Sequence, residues 1–242
     1  KHTFFCQSID KGILSSDESN HAVRVLRLTE GNKISLIDGK GRIAIGEITV
    51  ANKKELLFKI IESQQLSLKA NQIHIAIAPT KNMDRFSFFI EKVIEIGVNQ
   101  ITPVLTFNSE RKVLNIDKVR KNAISALKQS GNLFLPEIDE LTSFKDFICN
   151  QSNHNQRFIA HCDEDVQKIE LKKALDTQKN VVILVGPEGD FTTEEINLAK
   201  QNDEAKIRQI LDILPNNFID SFKEITGIFS LSLCPPIKLN FG

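Results

Sequence analysis

The stretch VVILVGPEGDFTTEEI, residues 181–196, already contains a strand, a loop and the start of a helix. VVILV is an unbroken apolar run, mostly β-branched, as expected of a strand buried on both faces of a parallel sheet. It runs into Gly186-Pro187-Glu188-Gly189. Thr192 then precedes Glu195 by three residues, the spacing of a capping box that opens a helix. A glycine-flanked loop therefore stands at the carboxyl end of a parallel strand, where open α/β sheets bind their ligands. Gly186 and Gly189 permit a close or left-handed backbone path, and N–H groups there can bond a carboxylate, a ribose or an adenine edge. The loop matches neither the dinucleotide fingerprint nor the P-loop. Taken alone it is equally a ligand site or a plain strand-to-helix turn, with Glu188 as its one acid.

Outward from this segment the same rhythm repeats. IHIAIA (73–78), QITPVL (100–105) and RFIAH (157–161) are further apolar runs separated by helical patterns, which predicts an α/β domain with a parallel sheet. Phe86, Phe89, Ile90 and Val93 form one apolar helix face ending near Gly97, and Glu91 and Glu95 lie four apart on that helix. Ile116, Val119, Ala123 and Ala126 mark a second helix, which also carries a polar stripe of Lys118, Lys121, Ser125 and Lys128. The first 70 residues read differently. TFFC (3–6), KISLID (33–38), RIAIGEITV (42–50) and ELLFKII (55–61) are short strands, with Gly39-Lys40-Gly41 as a hairpin turn, so a small barrel or curled sheet is expected before a boundary near residue 70.

At 242 residues, with 41% hydrophobic and 26% charged side chains, the chain is excluded from collagen-like, low-complexity and wholly disordered classes. No run reaches the roughly 18–20 apolar residues of a membrane span, and KHTFFCQSID lacks the apolar stretch of a signal peptide, so a cytoplasmic protein is expected. The net charge of zero, 31 basic against 31 acidic, argues against a nucleic-acid partner, yet the charge is sorted. It amounts to +3 over residues 1–70, +1 over 71–180 and −4 over 181–242. Arg111, Lys112, Lys118, Arg120, Lys121 and Lys128 against Asp117 make 111–128 a candidate phosphate-facing surface, or an ordinary solvated helix face. The cysteines (Cys6, Cys149, Cys162, Cys234) and the histidines lack metal-site spacing, and the cysteines read as small apolar residues.

Four segments, HAVRVLRLTEGNKISLIDGKG (21–41), KNMDRFSFFIEKVIEIGVNQITPVLTFNSER (81–111), ALKQSGNLFLPEI (126–138) and LVGPEGDFTTEEI (184–196), resemble in order those of the RsmE-type methyltransferases of the SPOUT superfamily. The resemblance covers roughly residues 1–203. It implies a PUA-like RNA-binding β-barrel (1–70) and a SPOUT α/β domain with a deep trefoil knot (71–242). The implied reaction methylates N3 of one uridine in small-subunit (16S) ribosomal RNA with S-adenosylmethionine, in a homodimer; the spacing and hydropathy above lead to the expectation of no metal and no membrane partner. It makes His161, Leu184, Gly186, Pro187, Glu188 and Gly189 candidate cofactor contacts, with His161 otherwise a strand-end histidine. Arg24, Arg27, Lys81, Arg85, Arg111, Gln129 and Ser130 become candidate RNA contacts. The reaction asks chiefly for placement of a sulfonium methyl in line with the uracil imide, and no residue is singled out as the base.

The tail departs from the family. Where a loop of the form Leu-Arg-x-Glu-Thr-Ala is expected, the chain has DEAKIRQILDILPNNFIDSFKEITGIFSLSLCPPIKLNFG (203–242). KEITGI (223–228) resembles that loop in altered form, which makes Thr226 and Gly227 candidate cofactor contacts; alternatively PIKLNFG (236–242) resembles the strand before it. The second functional reading is thus an RNA-binding protein of the same fold whose methyl transfer is impaired or lost.

Overall fold

A computed structural model describes residues 2–68, 71–150, 156–161, 171–176, 178–201 and 207–211. The chain divides into two compact units, residues 1–70 with 121–135, and residues 71–120 with 136–242. Residues 121–135 thus group with the first unit rather than with the strands that flank them in sequence.

In the first unit β1 (Thr3–Phe5), β2 (Lys33–Ile37), β3 (Arg42–Val50) and β4 (Leu57–Gln65) form one sheet in that order. β1 and β2 are parallel and the other pairs antiparallel. Two register shifts in the β3/β4 ladder bend it. The chain after β1 then reaches the other edge: Ile13 bridges Leu57, Phe58 N–H donates to the Gly12 carbonyl (2.8 Å) and Leu14 N–H to that of Leu56 (3.0 Å). Those bonds close a curled sheet around Phe4, Ile34, Leu36, Ile48, Leu56 and Phe58. The β2/β3 turn is held by Asp38, whose Oδ1 accepts from the N–H groups of Lys40 (2.7 Å) and Arg42 (3.0 Å).

Periodicity had not marked α1 (Ser16–Asn20), which continues into a wide π-type turn over His21–Val25. Its buried Ser19 is satisfied on both sides, donating to the Leu14 carbonyl (3.3 Å) and accepting from Leu56 N–H (2.9 Å). Cys6 lies in the core, where burial pushes its thiol up from the ordinary value. Cys149 is exposed, contrary to a small apolar role, while Cys162 and Cys234 lie outside the described residues.

The second unit is a parallel sheet of β5 (Ile73–Ile77), β6 (Gln100–Leu105), β7 (Glu137–Ile138), β8 (Thr142–Ser143), β9 (Gln156–His161), β10 (Val181–Val185) and β11 (Arg208–Leu211). The order is β11-β9-β10-β5-β6-β7, with β8 also on β6. All five β10 residues are buried. Val182 and Leu184 pack with Ala76, Val104 and Ile159 under α4 (Phe144–Cys149) and α6 (Thr193–Gln201), so the alternating residues Val181, Ile183 and Val185 face the opposite side. α2 (Met83–Ile96) buries Phe86, Phe89, Ile90 and Val93 and ends at Gly97 in the left-handed region (φ +83°). α3 (Ile116–Ser130), whose residues from 121 onward belong to the first unit, buries Ile116, Val119, Ala123 and Ala126, and in the second unit a short α5 (Leu171–Ala174) precedes β10.

After β5 the chain moves through α2 to β6 on one side; after β10 it moves through α6 to β11 on the other. The crossovers diverge between β10 and β5. A cleft outside the carboxyl ends of these two strands is the expected ligand position in such a sheet.

Candidate active site

Three loops meet at those carboxyl ends: 78–82 after β5, 106–111 after β6 and 186–192 after β10. Ala78 N–H donates to the Val185 carbonyl (3.0 Å), so the loops after β5 and β10 leave the sheet side by side. His161, fully buried, ends β9 one step past the Ala160–Val185 pair, level with Gly186.

The capping box read from sequence is formed. Glu195 N–H donates to Thr192 Oγ1 (3.2 Å) and Thr192 N–H to Glu195 Oε2 (3.0 Å). The same carboxylate has a second task that the sequence did not signal: Oε1 accepts from Phe107 N–H (2.9 Å). Asn108 adds a further tie, its Nδ2 donating to the carbonyls of Gly189 (2.8 Å) and Asp190 (3.0 Å). Two residues distant in sequence thus hold the glycine loop against the loop after β6.

The glycines act by close approach and not by a left-handed path. Neither Gly186 nor Gly189 has positive φ; a Cβ at Gly186 would lie 3.0 Å from the Phe191 ring, and one at Gly189 would lie 3.1 Å from Asn108 Cβ. The left-handed residue is Asp190 (φ +59°), whose Oδ1 accepts from Phe191 N–H (2.7 Å). Pro187 is buried and Glu188 exposed. A turn closes from Asp190 N–H to the Pro187 carbonyl (3.0 Å), while the N–H groups of Glu188 and Gly189 have no partner among the described residues. Leu184, two residues before the loop, has its side chain in the core.

The basic candidates divide. Arg111 fastens the loop after β5, Nε donating to the Thr80 carbonyl (3.2 Å) and a terminal nitrogen to that of Lys81 (2.7 Å). Lys81 Nζ is exposed and 2.7 Å from Glu110 Oε2. That carboxylate, with a smaller contribution from Glu188, raises the lysine above its ordinary value. Arg85 is exposed on α2, where Lys92 rather than a catalytic role accounts for Glu95 (2.8 Å).

In the first unit Arg24 and Arg27 are exposed, Arg27 at φ +55°. Gln129 and Ser130 end α3, with Ser130 Oγ donating to the Leu127 carbonyl (3.2 Å). The cationic stripe is shorter than its spacing suggests. Lys128 is drawn 2.6 Å from Glu18, and Arg120 pairs with Asp117 (3.5 Å) and Glu140 (3.1 Å), leaving Lys118, Lys121 and Ser125 as its exposed members. Thr226 and Gly227 lie outside the described residues, as do 212–242 altogether.

A partly buried polar cluster sits toward the amino ends of the strands, away from the loops. Asp139 accepts from Thr102 Oγ1 and from Gln100 Nε2 (2.9 Å). Thr102 Oγ1 also lies 2.7 Å from His74 Nε2, a contact that pins β5 to β6. Among the described residues no group of three His, Cys, Asp or Glu side chains is placed to hold a metal, and no helix is long and apolar enough to cross a membrane.

A family model described as RNA methyltransferase domain matches residues 67–210, and one described as RNA methyltransferase PUA domain matches residues 14–61. The chain is 26% identical over 186 residues to the ribosomal RNA small subunit methyltransferase E of Rickettsia conorii, covering 76% of this chain and 75% of that protein. It is 24% identical over 209 residues to the protein of the same name from Bacillus subtilis, covering 78% of each. Among solved structures, a probable rRNA-methyltransferase from Porphyromonas gingivalis superposes with a TM-score of 0.81 at 27% identity, over 96% of this chain and 97% of the other. The ribosomal RNA small subunit methyltransferase E from Neisseria gonorrhoeae bound to S-adenosyl methionine gives 0.78 at 20% identity, over 95% and 97%, a likeness of fold.

Proposed function

Because the chain belongs to the family of RNA methyltransferases, we propose that it transfers a methyl group from S-adenosylmethionine to N3 of a uridine in small-subunit (16S) ribosomal RNA, acting as a cytoplasmic homodimer. In this reading residues 1–70 are the PUA-like RNA-binding barrel. Residues 71–242 are the transferring domain, and Thr226 and Gly227, the candidate cofactor contacts of its tail, lie outside the described residues.

The observation that carries the reading is the glycine loop at the divergence of the crossovers, held by Asn108 and Glu195. The residues there fit the donor. The N–H groups of Glu188 and Gly189 are available for its polar edges, and the loop is packed so closely at Gly186 and Gly189 that its backbone is pre-set. Gly186, Pro187, Glu188 and Gly189 would hold the adenosyl part, with His161 and the β10 end at Leu184 flanking it. When bound, S-adenosylmethionine supplies a methyl on a sulfonium, already electrophilic.

What the chain must add is placement and charge. Arg111 fixes the backbone of Thr80 and Lys81, and so positions the Lys81 ammonium on the rim of the site. An exposed lysine is protonated at neutral pH, so Lys81, on the rim and paired with Glu110, would serve as a cation that stabilises the uracil oxygens as the imide proton leaves. Arg85, Gln129 and Ser130 are assigned to RNA.

Calorimetry with S-adenosylmethionine, followed by mass spectrometry of small ribosomal subunits incubated with enzyme and donor, tests the reading. N3-methyluridine is expected, whereas RNA binding with no cofactor binding would leave only the alternative, an RNA-binding protein that has lost transfer. For the first unit, replacing Arg24 and Arg27 together by Gln is expected to lower the slope of log affinity against log salt by about 1.4–1.8, from roughly 0.7–0.9 per phosphate contact. An unchanged slope would remove these arginines from the RNA surface.

A further inference from the structure

The loop after β6 presents an aromatic ring that packs against none of the described residues' cores. Phe107 is 77% exposed, although it stands between two of the best-buried polar residues of the unit, Thr106 and Ser109, each 3% exposed. These two close a tight turn: Thr106 N–H donates to Ser109 Oγ (3.0 Å), Ser109 N–H to the Thr106 carbonyl (3.2 Å), and the two hydroxyls are 2.8 Å apart. Phe107 and Asn108 form its corner. The corner is fastened from outside as well, Phe107 N–H to Glu195 and Asn108 Nδ2 to the carbonyls of Gly189 and Asp190.

A backbone this constrained loses little conformational entropy when something docks on it, and an exposed phenyl ring gains by being covered. The corner touches the glycine loop through Asn108, and Glu110 at the end of the same loop pairs with Lys81 of the neighbouring one, so the corner belongs to the edge of the candidate site. A flat, exposed aromatic face on a site that handles RNA is the kind of surface on which single-stranded nucleobases stack. We propose that Phe107 is a stacking platform for a base of the RNA substrate, positioning the strand against the glycine loop; this rests on the RNA methyltransferase reading. Glu195 and Asn108 then act through it, as residues that orient the platform.

The test uses the full chain, small ribosomal subunits lacking the modification, and a single-stranded oligouridine as a binding probe. Phe107→Ala is expected to raise KM for subunits and Kd for oligouridine by about 10- to 50-fold, at the scale of one base–aromatic stack. Affinity for S-adenosylmethionine and the mass by light scattering should stay as in the parent protein. Phe107→Trp should restore binding and, because the chain has no other Trp, should report the stack by quenching of its emission on adding oligouridine. Phe107→Leu should behave like the Ala variant.

Full activity and binding of Phe107→Leu would overturn stacking. A changed mass for Phe107→Ala would assign the ring to an interface between copies of the chain, and a parallel loss of cofactor affinity would assign it to support of the glycine loop. If the parent protein transfers no methyl group, the functional reading fails on its own. The oligouridine comparison still decides the platform: an unchanged Kd for Phe107→Ala, or an unquenched Trp, overturns it.

Discussion

Gly189→Val is expected to weaken S-adenosylmethionine binding by about 30- to 100-fold while RNA affinity stays within about twofold. The position does not need glycine for its φ; it needs glycine for space. A Cβ there would stand 3.1 Å from Asn108 Cβ, and the two further methyls of valine would push Asn108 away from the Gly189 and Asp190 carbonyls it holds at 2.8 and 3.0 Å. Overpacking of this kind typically costs about 1–3 kcal/mol and each lost hydrogen bond about 0.5–1.5 kcal/mol, and both fall on the loop whose Glu188 and Gly189 N–H groups, unpartnered among the described residues, would bind the donor. Calorimetry of donor and of RNA, with Gly189→Ala as a milder step, checks the claim. An equal loss of both affinities would show that the loop only supports the domain.

Gly41→Ala is expected to cost the first unit at least about 3 kcal/mol, the sum of backbone strain and a clash that cannot be relieved locally. Gly41 has φ +91°, and a Cβ would lie 2.5 Å from the Phe134 ring and 2.6 Å from the Leu66 carbonyl oxygen, which is backbone and cannot swing aside. Its own N–H donates to the Leu133 carbonyl (2.9 Å) and its carbonyl accepts from Leu66 N–H (2.9 Å), so moving it also breaks the seam between the hairpin and residues 133–134. Gly31 provides the control, with a similar φ of +80° and nothing within 4 Å of a Cβ. Its alanine variant should lose only about 1 kcal/mol. Because the chain has neither Trp nor Tyr, unfolding is best followed by circular dichroism or scanning calorimetry. Equal destabilisation by the two substitutions would discard the packing argument.

The apolar strands at 73–77, 100–105, 156–161 and 181–185 were legible because burial on both faces leaves an uninterrupted hydrophobic run. α2 was legible from its periodic face and its terminal glycine. The short elements were not: β7, β8 and α4 are two to six residues long, too short for a period to emerge, and α1 depends on Ser15 capping and a buried Ser19 rather than on an apolar face. The charge pattern misled in one respect. Spacing placed Lys128 in a solvated stripe, but only the folded chain brings Glu18 to it across more than a hundred residues.

From the sequence alone came the parallel α/β class, the curled N-terminal sheet, the position of the glycine loop at a strand end and the capping box that follows it, all of them consequences of local periodicity and turn chemistry. Tertiary structure decided the rest of the site. It put the divergence of the crossovers at β10 and β5, gave the Glu195 carboxylate its second hydrogen bond to Phe107, tied Asn108 to Gly189, and committed Arg111 to the carbonyls of Thr80 and Lys81. Each of these joins residues from different loops, and a hydrogen bond between groups about 30 to 90 positions apart leaves no period or spacing in the chain from which it could be read.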